Sequence, residues 1–185
     1  MFSFELDAIP PFRLDLMTWL LKRIPLDRIH WWDGRVLRRT LVIDGRPVVV
    51  EVEQIAHGSS PRVQVTVHDD AGGTKRAVSD VINRLLGLQV DLTEFYKIAG
   101  KKRKLAALAQ QFAGVKPPIF PDPFEAFTAA VACQQVSLHV GISCINKLAE
   151  QHGLRAPDDL QSAFPRPIDL VDLEPEPLKK LALST

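Results

Sequence analysis

The spacing of hydrophobic positions changes character along the chain. Residues 1–12 read as a short strand ending at Pro10-Pro11. Through 13–24 the apolar side chains Leu14, Met17, Leu20, Leu21 and Ile24 recur at helical spacing, and Pro25 stops the run. Trp31-Trp32-Asp33-Gly34 reads as a turn following aromatics. Beyond it the period drops toward two. Val36–Ile43 is rich in β-formers, Asp44-Gly45 is a hairpin signal, and Val48–Glu53 partly alternates. Arg62–His68 alternates cleanly, which predicts a strand with one buried and one polar face. Asp69–Gly73 is the next turn.

From Lys75 onward the helical period returns. Val78, Val81, Ile82 and Leu85 form a stripe that Gly87 ends. Residues 91–99 and 101–113 predict further helices, and 115–121 (VKPPIFP) a stiff extended linker. Asp122 can cap the next helix, with Pro123 at its first position and Glu125 where a capping-box partner belongs. A last long helix is expected from Ser137 to His152, with Val140, Cys144, Ile145 and Leu148 on one face and Gly153 as its cap. The proline-rich 154–177 read as loops. Residues 178–185 begin an amphipathic pattern that stops at Ser184 and Thr185, residues suited to cap a helix, so the chain is expected to be cut before an element. The pattern predicts an α+β protein: an antiparallel sheet with flanking helices in 1–90, then an incomplete all-helical part in 91–185.

Composition narrows the chemistry. With 46% hydrophobic residues and 24% charged, the chain can build a core. A net charge of +1 supplies no general attraction to nucleic acid, so any such contact must be local. The densest basic run, Lys97 to Lys104, suits either a solvated helix start or a phosphate backbone, and Arg35, Arg38, Arg39 and Arg46 can add to either. The five histidines form no i, i+4 pair and adjoin no Cys-x-x-Cys, so no metal site is expected. Cys133 and Cys144, if on one continuous helix, would lie roughly 16 Å apart, beyond disulfide reach. No glycine-rich phosphate loop and no nucleophile elbow stands out. Asp169, Asp172, Glu174 and Glu176 lie among prolines without a desolvating context, and none is assigned a catalytic role. No run reaches the ~18 apolar residues of a membrane span, and the N-terminus has no signal-peptide pattern, so a cytoplasmic protein is expected.

One feature does not fit packing. Where the apolar pattern should continue between two helices, Gln134 and Gln135 stand side by side. Their amides can satisfy backbone groups at a helix junction, or they can touch a polar partner such as a nucleic acid base.

The segment Asp122–Gly153 resembles the bacterial 3-methyladenine DNA glycosylase II family of the helix–hairpin–helix superfamily. It carries Asp-Pro-Phe-Glu, an apolar helix, Gln-Gln-Val-Ser and an amphipathic helix in that order. The resemblance runs upstream through the 91–114 helices and the N-terminal sheet, a TBP-like half. It implies base excision from double-stranded DNA with damaged bases, by a monomer that needs no metal or organic cofactor and flips the base out of the stack. Carried over by position, Gln135 would wedge into the duplex, with Gln134 and Ser137 flanking it. Trp19 or Leu20 would wall the base pocket. The resemblance also implies a helix–hairpin–helix and a catalytic aspartate, which are expected beyond Thr185. A chain of 1–185 alone is therefore expected to be inactive. A non-catalytic module for damaged DNA and a structural remnant are the alternatives.

Overall fold

A computed structural model describes residues 1–68, 74–156 and 161–174. The turn expected at 69–73 and the amphipathic start expected at 178–185 lie outside them. In chain order the elements are β1 (Phe2–Asp7), α1 (Leu14–Leu21), β2 (Trp31–Trp32), β3 (Val36–Ile43), β4 (Arg46–Ala56) and β5 (Arg62–His68). They continue with α2 (Lys75–Leu86), α3 (Thr93–Gly100), α4 (Arg103–Gln111), α5 (Pro123–Ala132) and α6 (Leu138–His152). The fold is α+β.

The strands form an antiparallel sheet of order β1-β5-β4-β3-β2. The two tryptophans, expected in a turn, pair with β3 as a short strand: Asp33 supplies the tight turn by accepting from the Arg35 and Val36 amides at 2.7 Å. Register then decides what is buried. Leu37 opposes Val52, Val52 opposes Val65 and Val65 opposes Phe4, so this rung and its neighbours point to one apolar face. Leu14 and Met17 of α1 and Val78, Ile82, Leu85 and Leu86 of α2 close over that face to form the main core. Helix α1 ends at Leu21, earlier than the expected Ile24.

A second core gathers Ile29, Ala129, Ile142, Ile145, Leu148, Ala149 and Phe164. The face of α6 that reaches it is rotated from the expected stripe. Ile142, Ile145, Leu148 and Ala149 are buried, while Val140 and Cys144 are only half-buried. The linker before α5 also holds a surprise. Lys116 is fully buried, with its Nζ donating to the Val90 carbonyl at 2.6 Å. Burial pushes this ammonium below its usual pKa, with Asp91 opposing.

The two cores meet at a buried polar chain. Arg39 lies on the apolar face of the sheet, in the rung with Val50, Val67 and Phe2. It is only 3% exposed. Its Nη2 donates to Glu125 Oε2 of α5 at 2.5 Å, and its Nη1 donates to His30 Nε2 at 2.6 Å. A guanidinium has no acceptor, so His30 Nε2 must accept and the ring proton resides on Nδ1, which faces Asp27 Oδ2 at 3.3 Å. Asp27 also accepts from the Ile29 and His30 amides. Glu125 therefore does not close a capping box as expected. Its amide donates to Asp122 Oδ1 at 3.0 Å, but its carboxylate turns inward to Arg39. Arg39 is likewise removed from the arginines available to phosphate.

Burial, and then the charge of Arg39, push the His30 imidazole below its usual pKa, against the pull of Asp27 and Glu125. Burial tends to raise Asp27, but its bonds from His30 and the two amides outweigh this and hold it low. Both folded-state values lie below the unfolded ones. Their stability is therefore complete above the unfolded pKa, about 6.5 for His and about 3.9 for Asp. It is lost as pH falls through the folded value. Urea titrations are expected to show stability declining below about pH 6.5, with His30→Gln removing the histidine part of that decline. Glu125→Gln is expected to cost about 3 kcal/mol at neutral pH, because it strands a buried guanidinium. Arg39→Met combined with Glu125→Leu should recover part of that loss.

Candidate nucleic-acid interface

Helices α5 and α6 are joined by a sharp exposed turn. Cys133 closes α5, and its amide donates to the Ala129 carbonyl. Gln134 follows with its amide on the Val131 carbonyl at 3.1 Å. Ser137 then caps α6: its hydroxyl accepts from the Val140 amide at 3.3 Å, and its carbonyl accepts from the Gly141 amide at 3.0 Å. Between these anchors the chain has little choice of path. Gln135 takes φ +56°, a left-handed conformation that costs an L-residue about 1 kcal/mol. Asparagine or glycine would enter it more readily. Residues Gln134 through His139 are all exposed.

Gly141 holds the turn tight. A Cβ there would lie 2.6 Å from Cys133 Sγ, 2.9 Å from the Ala132 carbonyl oxygen and 3.0 Å from Cys133 Cα. The first turn of α6 thus rests directly on the end of α5, and only glycine permits this approach. Cys133 and Cys144 fall on different elements, and no disulfide joins them.

The expected base-pocket residues diverge. Leu20 lines a cavity of about 90 Å³ between α1, the sheet, the linker, α5 and α6. His30, Arg39 and Glu125 form part of its wall, with Phe120 and Ile142 on the apolar side. Trp19 instead stacks on Phe112 at the end of α4, with ring centroids 5.8 Å apart, and stays 63% exposed. Neither the glutamines nor Ser137 line the cavity. An open apolar groove, lined by Phe124, Phe127, Val131, Val136 and Val140, runs beside the turn and includes Gln134.

Lys101 and Lys102 are exposed between α3 and α4, and Arg103 and Lys104 are exposed at the start of α4, whereas Lys97 is paired to Glu94 at 2.6 Å. Arg35 donates to Glu53 at 2.6 Å, and Arg38 lies 3.9 Å from Glu51. Asp169 is held below the usual carboxylate range, chiefly by its hydrogen bond from Arg166. Among the described residues no group of His, Cys, Asp and Glu could hold a metal ion, and no helix is long and apolar enough to cross a membrane.

Comparison with known proteins adds the family. The profile of the AlkA N-terminal domain matches residues 3–122. The chain belongs to that family. No curated protein sequence matches it. Among solved structures, the 3-methyladenine DNA-glycosylase from Archaeoglobus fulgidus superposes with a TM-score of 0.79 at 22% identity, covering 99% of this chain and 62% of that one. An apo 8-oxoguanine glycosylase/lyase from Clostridium acetobutylicum gives 0.71 at 18% identity, covering 97% and 57%. The same enzyme in complex with double-stranded DNA gives 0.69 at 18%, covering 98% and 59%. At these identities the likeness establishes the fold. The chain spans about three fifths of the length of these structures.

Sequence reasoning missed Gly141, His30 and the inward role of Glu125. Only the first had a visible signal, since a glycine inside a helical pattern often marks a close approach. Gly141→Ala is expected to destabilise the protein by about 1–3 kcal/mol, because backbone as well as sulfur must shift. By contrast, Gln135→Gly is expected to leave stability unchanged or raise it by up to about 1 kcal/mol, by relieving the left-handed backbone. Thermal unfolding of the pair checks both.

Proposed function

We propose that this chain is the DNA-opening portion of a base-excision glycosylase that acts on alkylated purines. In this reading the partner is double-stranded DNA bearing a damaged base, engaged by a monomer in the bacterial cytoplasm, at the nucleoid. The chain divides at about residue 90 into a sheet domain, 1–90, and a helical glycosylase part, 91–185. The observation that carries the proposal is the turn at Gln134–Ser137. An exposed glutamine is held in a strained backbone conformation between two helices packed as closely as glycine allows. Strain of this kind persists where the surrounding structure fixes it, and it clusters at sites that act on a partner.

Gln135 takes the wedge role. Its methylenes fill the gap left by a departing base, and its amide hydrogen-bonds an exposed base edge. Gln134 and Ser137 flank it, next to the estranged base and the backbone. Leu20 is favoured over Trp19 as the wall of the base pocket, since it borders the cavity while Trp19 is stacked on Phe112. The exposed basic run at 101–104 supplies phosphate contacts, which add affinity but no sequence preference. The reaction is hydrolysis of the N-glycosidic bond without metal or organic cofactor. The 185-residue chain alone does not perform it. Asp27, Glu125 and Asp169 are committed to His30, Arg39 and Arg166, which leaves none of them free to assist a departing base.

Affinity for a duplex containing an abasic-site analogue tests the reading. The chain is expected to bind it more tightly than the intact duplex, and Gln135→Ala to lose about tenfold of that preference, in line with about 1–2 kcal/mol for an inserted side chain. An unchanged preference in Gln135→Ala would remove the wedge. Release of 3-methyladenine from alkylated DNA by the 185-residue chain would overturn its proposed inactivity.

A further inference from the structure

Helix α5 has an unusual seat. Its buried residues are Glu125 and Ala129, while Phe127 is 75% exposed and Val131 59%. Ala129 joins the second core with α6. The Glu125 carboxylate on Arg39 ties α5 to the sheet. Helix α6 is anchored to the backbone of the same segment that carries Asp27 and His30. The Asn146 side chain donates to the Leu26 carbonyl at 2.8 Å and accepts from the Arg28 amide at 3.1 Å, and Arg28 pairs with Glu150. The two helices meet where Gly141 touches Cys133, one residue before the glutamines. Any shift of α5 at Glu125 is carried along a rigid rod of roughly 12 Å to that contact.

We propose that the buried chain Asp27–His30–Arg39–Glu125 is a positioning device for the glutamine turn, with Arg39 and His30 setting the seat of α5 and hence the placement of Gln135. The proposal rests on the reading of that turn as the DNA-opening element. The charged and titratable groups facing His30 are Asp27 from its own segment, Arg39 from β3 and Glu125 from α5, with Arg23 lining the same cavity. Neutral His30 accepts from Arg39. Once protonated, the ring offers only donors and sets a second positive charge 2.6 Å from the guanidinium nitrogen. Arg39 must then move, and Glu125 moves with it. Acidification thus acts on α5 and the turn more directly than on β5, two strands away from Arg39.

Amide hydrogen exchange, read residue by residue by NMR on the full chain from about pH 7.5 to about pH 5, separates positioning from general stability. The reporters are the hydrogen-bonded amides of Cys133, Gln134 and Gly141, with Val63 and Val65 of β5 for comparison. After correction for intrinsic rates, acidification is expected to lower protection of the reporters about tenfold beyond any fall at the β5 amides, which follow global stability. His30→Gln retains an acceptor for Arg39 and a donor for Asp27 but cannot titrate, so its profile should be flat. Arg39→Lys, which keeps the charge and loses the fork, should expose the reporters at every pH and serves if His30→Gln does not fold. Reporters losing no more protection than the β5 amides, or His30→Gln keeping the wild-type profile, would overturn the proposal. Affinity for the abasic duplex, measured alongside, should follow reporter protection in the wild type. If protection behaves as expected and affinity does not follow, the DNA reading fails and the positioning stands.

Discussion

A guanidinium placed among valines has to be neutralised where it lies. Arg39 occupies an inward position of β3, and the rest of the molecule is arranged around that fact. Glu125 comes in from α5 to balance the charge, and His30 comes in from the segment after α1 to accept a second bond. Two elements far apart in sequence are thus drawn to one strand. Removing one partner of such a pair is far more damaging than never having built it, since the remaining charge stays buried. That asymmetry makes the seam between sheet and helices specific. A purely apolar seam would tolerate sliding, whereas a forked donor and a carboxylate admit one register.

The sheet was legible because its constraint is periodic. Val36–Ile43 and Arg62–His68 form strands at the expected bounds, since alternation leaves one face to bury and Asp44-Gly45 supplies the turn. The starts of α5 and α6 were legible for a local reason as well: Asp122 and Ser137 cap where their side chains predict. What could not be read is what depends on a partner remote in sequence. Glu125 at the third helical position is, locally, a capping-box residue. Nothing within several residues announces Arg39, 86 positions earlier in the chain. The burial of Lys116 and the rotation of α6 toward Ile142 and Ala149 follow from the same kind of distant packing.

The candidate site divides in the same way. The glutamine pair was conspicuous because amides are poor filling between apolar helices, and the structure leaves both exposed at the turn. The positive φ of Gln135 was hidden, because glutamine has no preference for that conformation. It accompanies the close contact of Gly141 with the end of α5. Trp19 and Leu20, neighbours in sequence, separate to a surface stack and a cavity wall once α1 is rolled onto the sheet. Family membership and the fold set the frame, and the strained glutamine turn is the point of action we propose within it.

The central claim is that this turn opens a duplex. A duplex carrying 2-aminopurine beside an abasic-site analogue reports it directly, since that base brightens when it leaves the stack. On binding the 185-residue chain, fluorescence should rise, and Gln135→Gly should bind with little or no rise. Binding without a change in fluorescence, or an equal rise with the glycine variant, would contradict the account.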